Sequence, residues 1–266
     1  PASLPTHGGK IILDGTNIGP SSRKLASMSA AAKTNVTTFT LSFASNSAST
    51  TDTTPTDPTY EYMTTNCLNI IPGKKITCDV PEGAGTSFTW TLKMGPLDSV
   101  TSVETFVFAS SFGYDPPVIT GVSVNSISGI LSTSGGTPIV LTGTSFGPTS
   151  LPSSEIKIKY AREISTALQR NGYLAIDCTV TKAHTEIKCT SVPGIGKDME
   201  FWISSLVGSY SNVLTDEVNL ARHELPVITK VVIKPGTVAS ADRTYANLPT
   251  MGDTLVLITG EHFGPV

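Results

Sequence analysis

Four cysteines are the residues of this 266-residue chain whose type and spacing most directly imply chemistry. Cys67 and Cys78 stand eleven residues apart, and so do Cys178 and Cys189. Four cysteines permit three connectivities. The equal spacing, set in two similar stretches, selects Cys67–Cys78 and Cys178–Cys189, each bridging one hairpin. The alternative is two pairs of reduced core thiols. An even count in matched pairs, with no other cysteine, fits an oxidising compartment. Neither pair has Cys-x-x-Cys spacing and His184 falls in a hairpin turn, so zinc is not expected.

Catalytic chemistry finds less support. His7, His184, His223 and His262 lie near turns or unit junctions and read as exposed loop imidazoles, with no Ser or Cys placed beside them. His-Glu-x-x-His and Walker patterns are missing, so neither catalysis nor a cofactor is expected. Gly83-Ala84-Gly85 and Gly194-Ile195-Gly196 are glycine-rich, but no helix is expected after either, and they read as turns. Asp52 and Asp57 are at most weak calcium ligands, lacking the ring of oxygens calcium needs.

Covalent modification is a better-founded reading. Asn35-Val36-Thr37 is the one N-x-[ST] sequon. Residues 45–59 are dense in Ser, Thr and Pro and nearly free of apolar side chains, so they form an exposed loop. Ser47, Ser49, Thr50, Thr51, Thr53, Thr54, Thr56 and Thr59 are candidate O-glycosylation positions, and Pro55 and Pro58 candidate hydroxylation sites. An ordinary unmodified loop is the alternative.

The elements that must position these residues are strands. Only 15% of residues are charged, and 23 Gly and 18 Pro favour short strands joined by turns. A net charge of −3 leaves no basic surplus for nucleic acid. The longest aliphatic run, Leu255-Val256-Leu257-Ile258, is far short of the roughly 20 residues a membrane helix needs. A chain starting at Pro1 is expected to be a processed or excerpted product. Phe39, Leu41 and Phe43 alternate with polar residues, as do Ile156, Ile158 and Tyr160, which predicts half-buried strands of an antiparallel sandwich. Residues 161–170 and the positions Leu25, Met28 and Ala32 are read as short helical turns.

Repeats organise the whole chain. An apolar strand running into a Gly-Pro turn recurs from Gly8 to Pro20, Gly135 to Pro148 and Gly252 to Pro265. The paired cysteines are followed by Val80-Pro81 and Phe88-Thr89-Trp90 in one copy, and by Val192-Pro193 and Phe201-Trp202 in the next. Trp90 and Trp202 are therefore expected at matching strand positions in the core rather than as sugar-stacking platforms. Pro116-Pro117-Val118-Ile119 and Leu225-Pro226-Val227-Ile228 open the later copies.

This pattern resembles the IPT/TIG family, immunoglobulin-like domains of the E-set type. The second unit carries it best, through Pro117, Ile119, Gly135-Gly136-Thr137, Gly143, Phe146-Gly147, Cys178, Cys189 and Val192-Pro193. The first unit departs with Ile18 at the aromatic position and Lys10 for Thr, and the third with Asp253 after a single Gly. The resemblance implies an all-β chain of tandem immunoglobulin-like β-sandwich domains. Residues 1–114 form a domain without its first strand, 115–223 a complete domain, and 224–266 the opening part of a third. Family members occur in receptor ectodomains, cell-surface adhesion proteins, accessory domains of glucan-acting enzymes and Rel-like transcription factors. The expected function is an extracellular, structural or adhesive rod or filament carrying glycans. Its partners would be neighbouring domains of the same or identical chains, a cell-surface protein or a polysaccharide. The alternatives are a ligand-binding receptor ectodomain and a carbohydrate-binding accessory module. Incomplete end units could join head to tail by strand exchange, but simple continuation of a longer chain is the better explanation of them.

Overall fold

A computed structural model of the chain describes residues 3–18, 37–45, 60–71, 73–86, 88–96, 104–109, 112–124, 129–162, 172–207, 221–234 and 255–265. The first seven strands are β1 (Gly9–Ile18), β2 (Thr37–Ser45), β3 (Glu61–Met63), β4 (Thr65–Ile71), β5 (Gly73–Val80), β6 (Phe88–Pro96) and β7 (Glu104–Ala109). They form a sheet of order β1-β5-β4 and a sheet of order β3-β2-β6-β7. Next come β8 (Val118–Val124), β9 (Ile130–Leu131), β10 (Pro138–Thr144), β11 (Ile156–Arg162), β12 (Tyr173–Leu174), β13 (Ile176–Lys182), β14 (Glu186–Thr190) and β15 (Met199–Leu206). Their sheets are β13-β14-β10-β8 and β12-β11-β15. A short strand β16 (Arg222–His223) runs parallel to β9, and β17 (Val227–Lys234) pairs antiparallel with β18 (Leu255–Glu261). No α-helix occurs among the described residues, which hold a single 3₁₀ turn at Ser153–Glu155. The chain has an all-β, immunoglobulin-like sandwich fold.

The period-two alternation places the core. In the first pair of sheets Ile11, Ile76, Cys78 and Val80 point inward from one sheet. Leu41, Phe43, Phe88, Trp90 and Leu92 meet them from the other. In the second pair Ile139, Leu141, Ile187 and Cys189 meet Ile156, Ile158, Tyr160, Phe201 and Ile203. Ladder registers coincide between the two. Ile11 is opposite Cys78 and Leu13 opposite Ile76, just as Ile139 is opposite Cys189 and Leu141 opposite Ile187. The β17–β18 ladder repeats that of β8–β10: Ile228 faces Gly260 and Ile119 faces Gly143, each followed by a bulge on the same side.

Two expectations need correction. Ala161 and Arg162 are not helical but end β11, where they pair with Glu200 and Met199; the remainder of 161–170 lies outside the described residues. The second turn, at Leu25, Met28 and Ala32, also lies outside them. Trp202 does not share the position of Trp90. Trp90 is opposite Phe43, but the residue opposite Tyr160 is Phe201, so Trp202 is one residue out of phase and opposite Lys159. Trp202 is buried, yet it is on the other face of β15 from Phe201 and Ile203, packed beneath Gly172.

Candidate functional site

Both disulfides are formed as Cys67–Cys78 and Cys178–Cys189, each with Cα atoms 4.1 Å apart. Each joins neighbouring antiparallel strands, β4 to β5 and β13 to β14. The residue before the first cysteine takes a left-handed conformation in both hairpins, Asn66 at φ 49° and Asp177 at φ 52°. Asn and Asp are among the few side chains that tolerate this region. Both cross-links therefore close on the same local bend.

The second strand of each hairpin leads into a loop held by a tyrosine. Tyr62 Oη donates to the Ala84 carbonyl at 2.9 Å and accepts from the Ala84 N–H at 2.9 Å. Tyr173 Oη makes the same two bonds to Ile195, at 3.2 and 3.1 Å. The glycine before the clamped residue leaves room for the ring. A Cβ on Gly83 would come within 2.6 Å of Tyr62 and 2.7 Å of Tyr114; one on Gly194 would lie 2.8 Å from Tyr173 and 2.9 Å from His223. The glycine-rich turns are thus tyrosine-braced loops. Nothing local in the sequence marks Tyr62 and Tyr173 as clamps, although each stands five residues before the first cysteine of its hairpin.

Aromatic rings support both clamps in the same order. Phe43 stacks on Trp90 at 4.2 Å and on Tyr62 at 4.9 Å, and Tyr114 lies 5.5 Å from Tyr62. In the second pair Tyr160 stacks on Phe201 at 5.2 Å and lies 5.3 Å from Tyr173, and His223 lies 5.7 Å from Tyr173. Burial raises the Tyr62 and Tyr114 hydroxyl pKa values well above the ordinary range. His223 occupies the slot of Tyr114 and is 1% exposed, so it is no exposed loop imidazole. It is drawn in because β16 pairs with β9, and burial lowers its pKa. Its Nδ1 lies 3.3 Å from the Ser132 carbonyl, and its Nε2 is buried without a hydrogen-bond partner.

Each braced loop meets the Phe-Gly-Pro turn of the segment that follows. A Cβ on Gly147 (φ +82°) would lie 2.9 Å from Ala84 Cβ, and one on Gly264 (φ +96°) would collide with Ile195 Cγ2. Glycine at these positions allows both the left-handed turn and the close approach. A histidine–glutamate contact flanks each meeting point. His184 Nε2 lies 3.4 Å from Glu82 Oε2, with His7 edge-on at 5.6 Å between ring centroids. His262 Nδ1 lies 3.0 Å from Glu224 Oε2. The same carboxylate accepts from the Thr133 N–H at 3.1 Å and Ser132 Oγ at 3.3 Å. The Thr133 N–H, helped by His262, holds the Glu224 carboxyl below the usual carboxylate range.

This second cluster is not a proton relay. Thr133 Oγ1 and Glu224 Oε2 both approach Nδ1 of His262, whereas a relay needs the hydroxyl and the carboxylate on opposite ring nitrogens. Among the described residues no group of three His, Cys, Asp or Glu side chains has a metal-holding arrangement, and no helix is long and apolar enough to cross a membrane. Asn35, Ser47, Ser49, Thr50, Thr51, Asp52, Thr53, Thr54, Thr56, Asp57 and Thr59 lie outside the described residues.

No family model matches the chain, and no curated protein matches it. Among solved structures, the chain is similar to the crystal structure of the teleost fish polymeric Ig receptor ectodomain. The identity is 8%, over 83% of this chain and 92% of that one, with a TM-score of 0.19. A superposition that loose transfers nothing from the receptor to this chain.

Proposed function

We propose that the chain is a structural or adhesive element of an extracellular protein: a rod, or a stretch of filament, built from tandem IPT/TIG-type domains with boundaries near residues 114 and 223. The reading is carried by the joint. A tyrosine-braced loop packs against a positive-φ glycine of the following turn, with a His–Glu contact beside it, and this occurs twice with different residues. Fixed joints between short sandwiches suit mechanical spacing more than flexible display, since interfaces within a chain otherwise leave relative motion as the default. Two cross-links in a chain with no free cysteine favour an oxidising compartment. Residues 45–59 and Asn35 are the proposed glycan carriers.

Small-angle scattering of the wild type and of Gly147→Val tests the joint. A stiff, elongated particle that becomes flexible in the variant is the expected result. A wild type that already behaves as freely jointed beads overturns the rod. Intact-mass spectrometry of protein from its native source, with and without reductant, tests the compartment. Free thiols and no sugar would remove the extracellular assignment.

A further inference from the structure

We infer that the outer face of the β4–β5–β1 sheet is a self-association surface whose occupant is the same face of a second copy. Three cross-strand rows define it. Lys10 is opposite Asp79, Ile12 is opposite Thr77, which is in turn opposite Leu68, and Asp14 is opposite Lys75, which is opposite Ile71. The middle row carries exposed apolar side chains on either side of Thr77: Ile12 is 57% exposed, Leu68 63% and the adjoining Ile70 48%. β-branched and aliphatic side chains facing outward from a strand are what a covered sheet face looks like.

The charges around this stripe identify the partner. One end reads Lys on β1 and Asp on β5; the other reads Asp on β1 and Lys on β5. Within one chain Lys10 pairs with Asp79, and Lys75 with Asp14 at 3.0 Å. Lys10 holds the Asp79 carboxyl below its ordinary range, helped by Asn66. A twofold axis lying in the interface, across the strands and along the middle row, superimposes β1 on β1 and exchanges the two ends. Lys10 then lies over Asp14 of the second copy and Asp79 over its Lys75, while Ile12 and Leu68 meet their own images. A pattern that reverses sign along each strand is self-complementary under that one operation, which is the requirement of an isologous interface. An axis parallel to the strands instead brings Asp79 onto Asp79. The charged ends thus fix the register and the apolar row supplies the adhesion.

The matching face of the other disulfide sheet lacks this property. Its middle row is Val140, Lys188 and Thr179, so the same axis sets Lys188 against Lys188. Its end row pairs Thr142 with Glu186 and Lys182, a combination complementary to itself only after a shift. Self-association is therefore assigned to the first sheet alone.

Sedimentation velocity of the full chain over a wide concentration range tests this. The wild type is expected to pass from monomer to dimer, and Ile12→Lys or Leu68→Lys is expected to weaken the dimer at least about tenfold. Lys188→Glu, on the matching face, leaves it unchanged. The decisive variant reverses one end only, Lys10→Asp with Asp79→Lys. It keeps the ion pair within the chain yet sets like charges against each other across the axis, so the dimer is lost. Reversing the other end as well, Asp14→Lys with Lys75→Asp, restores it. Thermal melts of all variants confirm that the fold is retained. A wild type that stays monomeric overturns the proposal. So does a dimer indifferent to Ile12→Lys and to the one-end reversal, or a one-end loss that the second reversal fails to restore.

Discussion

The sheets β4–β5–β1 and β13–β14–β10–β8 place equivalent residues inward and different residues outward. Inward, Ile11, Ile76 and Cys78 correspond to Ile139, Ile187 and Cys189 in ladder register as well as in sequence order. Outward, the first has Ile12, Thr77 and Leu68 where the second has Val140, Lys188 and Thr179. They also differ at the edge. Val118–Val124 flanks β10, whereas β1 has only β5 beside it among the described residues. The difference teaches that the inward pattern specifies the fold and leaves the outer face free to differ. An edge ladder contributes backbone pairing and protects a strand that is otherwise open. The first pair of sheets should accordingly be the one more dependent on its core.

The largest effect expected tests that dependence. Phe43 contacts Tyr62, Phe88, Trp90 and Tyr114, so Phe43→Ala should cost about 3–5 kcal/mol. Denaturant unfolding should then split into two transitions, the earlier one carrying the Trp90 fluorescence change. A single cooperative loss of both halves would show that the two pairs of sheets are one folding unit, and would break the comparison. Next in size are the disulfides. Both close loops with a separation of 11 residues, and the chain-entropy model gives each about 3 kcal/mol. Cys67→Ser with Cys78→Ser should match Cys178→Ser with Cys189→Ser within error in urea titrations. A clear inequality would mean that the cross-links act on unequal native strain rather than on equal loops.

The braced loops sharpen the contrast. Tyr62 is 4% exposed, whereas Ile195, the residue held by Tyr173, is 53% exposed. Tyr62→Phe strands a buried N–H and carbonyl at Ala84, for about 1–3 kcal/mol. Tyr173→Phe should cost under about 1 kcal/mol, because water replaces its bonds to Ile195. Equal losses would mean that the second loop is sealed by the segment containing Gly264.

The inward core was legible because a period of two survives in single sequences: Leu41 and Phe43, and Ile156, Ile158 and Tyr160, are buried as alternation requires. The cysteine pairing was legible from equal spacing. The tyrosine clamps were not, because Tyr62 and Ala84 are 22 residues apart and the bond runs to backbone atoms that carry no residue code. Trp202 was misplaced for a related reason. Phe88-Thr89-Trp90 and Phe201-Trp202 can be aligned on either aromatic, and only the ladder, with Phe201 opposite Tyr160, decides. His223 looked like a linker residue before Pro226, since nothing local signals that β16 folds back beside β9. The joints combine all three blind spots, so sequence revealed their glycines and histidines but not their assembly.

The smallest effect expected depends on one slot filled differently in the two halves. Tyr114 donates to the Pro81 carbonyl at 2.7 Å and carries no charge near neutral pH. His223 sits at the equivalent place with its pKa lowered by burial, opposed by the Ser132 carbonyl and by Glu224. In the unfolded chain a histidine titrates near pH 6.5. Between that pH and the lower folded value, the unfolded state binds a proton that the folded state refuses, so stability rises with pH there. His223 therefore leaves stability intact above about pH 6.5 and erodes it as the pH falls toward the folded value, below which the loss levels off. The second pair of sheets should weaken between about pH 7 and pH 5 more than the first. His223→Tyr removes that extra slope, because it places in this slot the uncharged residue that the first half carries there as Tyr114. Urea midpoints of wild type and variant at both pH values isolate His223, since His7, His184 and His262 are common to the two chains. An unchanged slope would show that the two slots are equivalent in energy as well as in position.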